Sequence, residues 1–446
     1  MKALKRPAVR GTLWIIANYG VSQSLRFGSN LILTHLLVPE YFGLMALANT
    51  LRIGLELMSD LGIDQSIIQN QRGDDPDFLN TAWTIKIVRG FLLWFVCLAV
   101  TMPVAHFYED NRLYLIIPII GLTTILEGFT STSLATLNRR MELGVFTIFE
   151  WMIQIFSLTV LITWSWLSPS IWALSIGSLS GIVFQMVASH FLLPHYHNHL
   201  MWDREAFKVI FAFGKGMFLA TALMFLADQA DRFLLSKMMS FELLGVYTVA
   251  LTLATLPREV LKNLSYRVLF PTAAKNAELP RSALQAATIQ QRWLILLGTA
   301  VVLAIMTSFG DFPIRLLYDD RYHDASWMMP ILSFGVWFSA LFYTATPALL
   351  ALGHPIYTAY SNLGRLTMVM FGLWLGFRWG GIQGAIMGLS LSDLFSYLVL
   401  YYGLWREQLL FVVQDLKLTS FFLGLLVLLL GIRFSLGWGW PIQEIL

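Results

Sequence analysis

Long apolar runs separated by short polar stretches follow one another along the whole chain. A helix crossing a bilayer needs about 20 mostly apolar residues. Runs of that kind fall near 12–37, 42–68, 79–103, 112–137, 143–166, 171–193, 207–238, 243–270, 283–309, 326–352, 356–379, 382–403 and 418–439. The pattern predicts an all-α polytopic membrane protein of about 13 transmembrane spans. The longest outer connection, from Asp311 to Ala325, is about 15 residues. It is too short for a soluble domain or an external catalytic loop.

The polar stretches set an orientation, because cytoplasmic connections carry an excess of Lys and Arg. Thirteen basic residues fall in one alternate set of connections: Lys2, Lys5, Arg6, Arg10, Arg72, Arg139, Arg140, Arg204, Lys208, Lys275, Arg281, Arg406 and Lys417. The other set holds five: Arg112, Lys237, Arg315, Arg321 and Arg378. The first set, with the N-terminus, is therefore expected on the cytoplasmic side. The basic start is read as the retained tail of the first helix, since the segment after it is too long and too polar for a signal peptide.

Composition agrees with the pattern. Of 446 residues, 57% are hydrophobic and 13% charged, against about 25% charged in soluble domains. The 16 Trp and 15 Tyr suit a protein with two membrane interfaces to anchor. A net charge of +3 gives no reason to expect nucleic acid. The single Cys97 cannot form a disulfide within the chain.

The chain also repeats itself. Thr34 to Ala48 aligns without a gap on Ser236 to Ala250, sharing a Glu-x-x-Gly at Glu40–Gly43 and Glu242–Gly245. A weaker echo pairs Leu134–Asn138 with Leu349–Gly353. The expected division is a six-helix lobe over 1–195, a cytoplasmic connection at 196–206, a second six-helix lobe over 207–403, and an amphipathic segment with an additional helix over 404–446. An even helix count gives both lobes one orientation, and a transporter of this kind places its site between them.

Ions inside the spans carry the candidate chemistry. Each costs on the order of 2.5–3.5 kcal/mol at a helix centre, so it faces a cavity or a partner. Ser22, Arg26 and Asn30 lie four apart on one face, as do Arg52, Glu56 and Asp60. The span 207–238 carries Lys215, Asp228, Asp231 and Arg232, and the span 243–270 carries Arg258, Glu259, Lys262, Asn263 and Arg267. Other charges stand alone at Glu127, Glu150, Arg365 and Asp393. One reading is a wet, net-positive chamber that holds an anion on paired guanidinium bonds. The other is that Arg52–Glu56 and Asp228–Arg232 are ion pairs that satisfy each other.

Lesser features complete the inventory. His195, His197 and His199 alternate in a connection, which reads as a solvated loop rather than a metal site. Gly372, Gly376, Gly380, Gly384 and Gly388 mark close-packing helix faces. Pro257, beside Arg258, stands where a helix would bend. Residues 404–417, with Trp405, Leu409, Leu410, Phe411 and Val412, read as a short amphipathic segment at the inner surface. The chain has no P-loop and no nucleophile elbow, so no cofactor or metal is expected and ATP-driven transport by this chain alone is disfavoured.

Three runs resemble a known family. Leu36-Leu-Val-Pro-Glu40-Tyr-Phe-Gly43 is similar to the first-loop signature of the polysaccharide transporter family. Ser59-Asp-Leu-Gly62-Ile-Asp-Gln-Ser-Ile-Ile-Gln69 and Asp228-Gln-Ala-Asp231-Arg232 resemble its second and seventh helices. The family lies in the multidrug/oligosaccharidyl-lipid/polysaccharide (MOP) exporter superfamily. The resemblance implies two six-helix lobes in a V that open alternately to each side of a bacterial inner membrane. It implies a non-enzymatic flippase for an undecaprenyl-diphosphate-linked oligosaccharide, in the service of O-antigen or exopolysaccharide assembly. On that basis Arg26, Asn30, Arg52, Lys215, Arg232, Arg258, Lys262 and Arg365 are expected at the diphosphate and sugar. Glu56, Asp60, Asp228, Asp231 and Glu259 are expected to bind a coupling H+ or Na+ or to hold the arginines. Partners would be the lipid-linked glycan, the bilayer and other polysaccharide-assembly membrane proteins. Two readings remain beside it: a cation-coupled drug or metabolite exporter of the same superfamily, and a membrane sugar polymerase or ligase.

Overall fold

The computed structural model describes residues 20–140, 142–193 and 197–442. Among them every regular element is a helix. The chain packs as two compact units that divide between Ala222 and Leu223.

The first unit opens with α1 (20–36) and α2 (Pro39–Met58). Pro39 starts α2 at a position where its missing N–H costs nothing. After a turn at Gly62 come α3 (Ile63–Gln69) and α4 (Pro76–Tyr108), whose N-cap Asp75 accepts from the Asp77 amide. Then follow α5 (Leu113–Phe129), α6 (Ser133–Arg139), α7 (Leu143–Leu167) and α8 (Ile171–Ser189). α5 packs on α2, α4 and α8 and sits at the centre, whereas only 11% of the apolar core of α7 is buried. α5 and α6 meet at 60° across a break of three residues, as a broken span or a re-entrant loop does. The bend frees backbone groups in an apolar setting, and buried side chains satisfy them. Ser189 Oγ accepts from the Ser131 amide, and Trp83 Nε1 donates to the Phe129 carbonyl.

α9 (Arg204–Met238) runs from the first unit into the second. Ala206 and Ile210, near its start, pack with Ile63, Phe78 and Ile85. The second unit continues with α10 (Phe241–Ala254), α11 (Leu256–Leu264), a π-helical turn over Ser265–Leu269 and α12 (Phe270–Lys275). α10 and α11 meet at 43°. α2 and α10 begin at Pro39 and Phe241, a pair matched by the sequence alignment. Both second spans are interrupted, at Ser59–Gly62 in one unit and at Thr255 and the π turn in the other.

The rest of the second unit is α13 (Arg281–Phe309), α14 (Asp311–Leu317), α15 (Ala325–Ala351), α16 (Ile356–Ser390), α17 (Ser392–Arg406) and α18 (Val412–Ser435). α15 is the hub, with 83% of its apolar core buried. α16 is two helices folded back on each other. Gly380 and Gly381 leave helical geometry between them, Gly381 at φ 59°. A Cβ on Gly376 would stand 2.1 Å from the Gly384 carbonyl oxygen, and one on Gly388 2.2 Å from that of Gly372. Gly372, Gly376, Gly384 and Gly388 thus press the two halves together at backbone contact, whereas Gly380, read as part of the same packing face, lies in the turn with open space at its Cβ position.

Residues 404–417 divide between the end of α17, a turn, and the start of α18. Leu404, Leu409 and Phe411 are buried in the core around Trp337 and Phe422. α18 is fastened at both ends by buried ion pairs, Arg292–Asp415 and Arg433–Asp311.

By length and apolarity alone, seven described helices can cross a membrane, or nine counting each bent pair as one. Large apolar side chains face outward on them, among them Leu92, Phe95 and Met102 on α4 and Val427 and Leu428 on α18. The chain is a multi-pass membrane protein.

Candidate functional site

In the first unit, ions gather where the bent pair α5–α6 meets α2, α3, α4 and α8. They line a cavity of about 220 Å³ whose polar side chains include Glu56, Asp64, Lys86, Arg89, Glu127 and Gln185. Arg52 stands beside it, with Nη1 2.5 Å from Glu56 Oε1 and 3.4 Å from Glu127 Oε1. Lys86 Nζ is 3.3 Å from Asp64 Oδ1. Arg89 donates from Nη2 to the Glu56 carbonyl at 2.6 Å and from Nε to Ser59 Oγ at 3.1 Å. It thereby caps the carbonyl end of α2, where a cation is favoured.

In the second unit five elements converge on an alternating ion network. Arg365 of α16 donates from Nη1 to Asp228 Oδ1 of α9, and its Nε lies 2.6 Å from Asp393 Oδ1 of α17. Arg258 Nη1 of α11 is 3.9 Å from Asp393 Oδ2, which also accepts from Ser339 Oγ of α15. Each of these four ions is largely shielded, the most exposed being Asp228 at 27%. Two guanidiniums face two carboxylates, so the network itself is neutral. Lys262, one turn beyond Arg258, adds positive charge that bears on Asp228 without an ion pair among the described residues. The π turn that follows is a helix irregularity often found beside functional sites.

The remaining expected residues fall as follows. Arg26 is exposed on α1 and Asn30 half-buried. The side chain of Lys215 lies outside the described residues, as do His195 and the N-terminal basic residues. Asp60 Oδ1 accepts from the Gly62 amide at 2.9 Å, which makes it a turn cap between α2 and α3. Asp231 accepts from Tyr247 Oη at 2.5 Å, and its other oxygen has no partner among the described residues. Arg232 donates to Gln229 rather than to Asp228. Glu259 is half-buried, and its carbonyl accepts from Asn263 Nδ2. The Arg52–Glu56 pair expected from spacing is present, whereas Asp228 pairs with Arg365 in place of Arg232. His199 is held by Asn80, whose Oδ1 accepts from its amide at 3.1 Å.

Sequence reasoning passed over Lys86, Arg89 and Ser339 and gave Asp393 no role. Lys86 and Arg89 interrupt the apolar run 79–103, so the rule that singled out Arg52 would have found them. Ser339 carries no such signal.

Exposed connections show simpler electrostatics. Asp110 accepts from the Arg112 guanidinium, at Nε and Nη2, and from the Arg112 amide, which hold its carboxyl below the ordinary aspartate range. Arg112 also reaches Glu40 at 2.7 Å. Asp203 is held low by the Glu205 amide and by Arg72.

Both units are helical, with interrupted spans and ions tied across helices, and solved structures show the same fold. The chain is similar to lipid II flippase MurJ in an inward closed conformation, with TM-score 0.72 and 15% identity over 95% of this chain and 93% of that one. It is also similar to the inward-facing conformation of a multidrug resistance MATE family transporter of the MOP superfamily, with TM-score 0.68 and 13% identity over 86% and 94%. Residues 32–327 match the family described as "Polysaccharide biosynthesis protein". The chain belongs to that family. Among curated relatives, it is 22% identical to the teichuronic acid biosynthesis protein TuaB of Bacillus subtilis (strain 168), over 82% of this chain and 74% of that one. It is 20% identical to an uncharacterized membrane protein in the cps region of Klebsiella pneumoniae, over 94% and 87%.

Proposed function

We propose that the chain is a flippase that carries an undecaprenyl-diphosphate-linked oligosaccharide from the cytoplasmic to the periplasmic leaflet of a bacterial inner membrane, by alternating access. Residues 1–195 and 207–403 would be its two repeated lobes, with the N-terminus in the cytoplasm. The observation that carries this reading is the set of arginines held inside helices by hydrogen bonds or ion contacts to neighbours: Arg52 and Arg89 in one unit, Arg258 and Arg365 in the other. Guanidiniums in apolar surroundings are costly, are kept by pairing, and mark substrate or ion pathways, and their planar fork matches phosphate oxygens. Membership of a polysaccharide biosynthesis family, and relatives named for teichuronic acid and for succinoglycan transport, support the glycan part of the cargo. The neutral pairing of Arg258 and Arg365 with carboxylates, together with the MATE-like fold, favours a second reading, a cation-coupled exporter.

Reconstitution into proteoliposomes separates the two. Undecaprenyl-diphospho-oligosaccharide added to one leaflet should become accessible to an impermeant glycan-binding protein on the other, and a cationic dye should not move. Dye movement without glycan translocation would overturn the flippase reading in favour of the exporter.

A further inference from the structure

Charge balance poses a question of its own. Arg258 and Arg365 already have carboxylate partners, so an incoming anion meets a neutral network. It can take the Nη1 and Nε of Arg365 only if Asp228 and Asp393 give them up, and it can draw in Arg258, which lies 3.9 Å from Asp393, only against that carboxylate's pull. We propose that the second-unit network is an exchange site: a phosphate group of the cargo replaces Asp228 and Asp393 on Arg365 and Arg258, and the two released carboxylates each take a proton from water. This rests on the anionic head group proposed above, and it adds the coupling that the head group would impose.

The surroundings favour exchange over simple addition. Asp228 and Asp393 come from α9 and α17 and meet different nitrogens of Arg365, Nη1 and Nε, so both contacts end if the guanidinium turns to a third partner. The groups left facing the carboxylates would be Lys262 on α11, Tyr266 on the π turn, and Tyr343 and Ser339 on α15. Lys262 is the one cation among these, and Ser339 Oγ donates a hydrogen bond to Asp393. One ammonium cannot replace two guanidiniums, and an unpaired buried carboxylate is neutralised by protonation rather than kept ionised. The proton balance is simple: each carboxylate gains one proton from solvent, no bond of the cargo is broken, and the phosphate keeps its charge. Loading therefore adds up to two protons per cargo, and release returns them. Binding should strengthen as pH falls, by about tenfold per pH unit for each proton taken up.

The test uses the full chain in lipid nanodiscs and undecaprenyl-diphospho-N-acetylglucosamine as probe, both phosphates of which stay ionised through the neutral range. Calorimetry in two buffers of different ionisation heat counts protons directly. Uptake of one to two protons and tighter binding at lower pH are expected. Asp228→Asn and Asp393→Asn should each remove about one proton and flatten the pH profile, and should bind the probe at least as tightly at pH 8. Wild-type binding without proton uptake would overturn the exchange and leave the flippase reading standing. No binding by the wild type at all would overturn both. Because the wild type alone decides the matter, variants that fail to fold do not rescue the proposal.

Discussion

Arg292 shows what a fully buried ion demands. Its guanidinium donates to Thr344 Oγ1 at 3.1 Å, Gln414 Oε1 at 3.3 Å and Asp415 Oδ1 at 2.9 Å, with its carbon 4.5 Å from the centre of the Phe411 ring. Removing one member of such a pair leaves the other charge buried and alone, at a cost of about 3–5 kcal/mol. Arg292→Met should lower thermal stability in detergent by that order, and adding Asp415→Leu should restore part of the loss. An unchanged melting temperature for Arg292→Met would show that the pair holds nothing. Asp110 is a milder case. Because Arg112 depresses its folded pKa, its contribution is complete above the ordinary aspartate pKa and is lost as pH falls through the lowered one. Asp110→Asn should therefore cost roughly 0.2–1 kcal/mol at neutral pH and nothing in strong acid, as read from melting temperatures across that range. At this scale the sequence discloses a charge but only some of its partners. Arg52–Glu56 was legible because four residues on a helix share a face. Asp228 and Arg365 stand 137 positions apart, and no helical spacing joins them.

Elements were legible where apolarity set their length and less so where distant side chains broke them. The run 112–137 reads as one span, yet it bends at Thr130–Thr132, where Ser189 and Asn198, more than 50 positions away, bond Ser131. Likewise 42–68 reads as one span but is interrupted where Asp60 caps the turn at Gly62. The glycines at 372–388 were legible as a packing face, since small residues at four-residue spacing let backbones meet. That they close one hairpin follows from the turn at Gly380–Gly381. Any side chain at Gly376 collides with backbone at 2.1 Å, where nothing flexible can yield. Gly376→Leu should cost at least the upper end of the about 1–3 kcal/mol typical of overpacking. Gly424→Ala on α18, where a Cβ meets nothing, should leave stability unchanged or slightly raised. Equal melting temperatures for the two variants would refute the packing role.

For the whole molecule, the distribution of ions carries the argument. Each unit places a tied set of charges at an interrupted second span: Arg52, Glu56 and Glu127 with Arg89 and Lys86 in one, Arg258, Asp393, Arg365 and Asp228 in the other. A protein that only needed to pack would satisfy its helices with apolar contacts, which are cheaper in lipid than desolvated ions. The two sets share no residue. Under the flippase reading proposed above, a transport cycle needs both. Stability and flux should then respond differently to the same substitutions. Losses of melting stability from Arg52→Met and Arg365→Met should add in the double variant to within about 0.5 kcal/mol. Flux of lipid-linked glycan into the opposite leaflet should already be lost in each single variant, with no further fall in the double. If the single variants fold and still move glycan at wild-type rates, these arginines are scaffolding, and the cargo's charge must be met elsewhere in the chain.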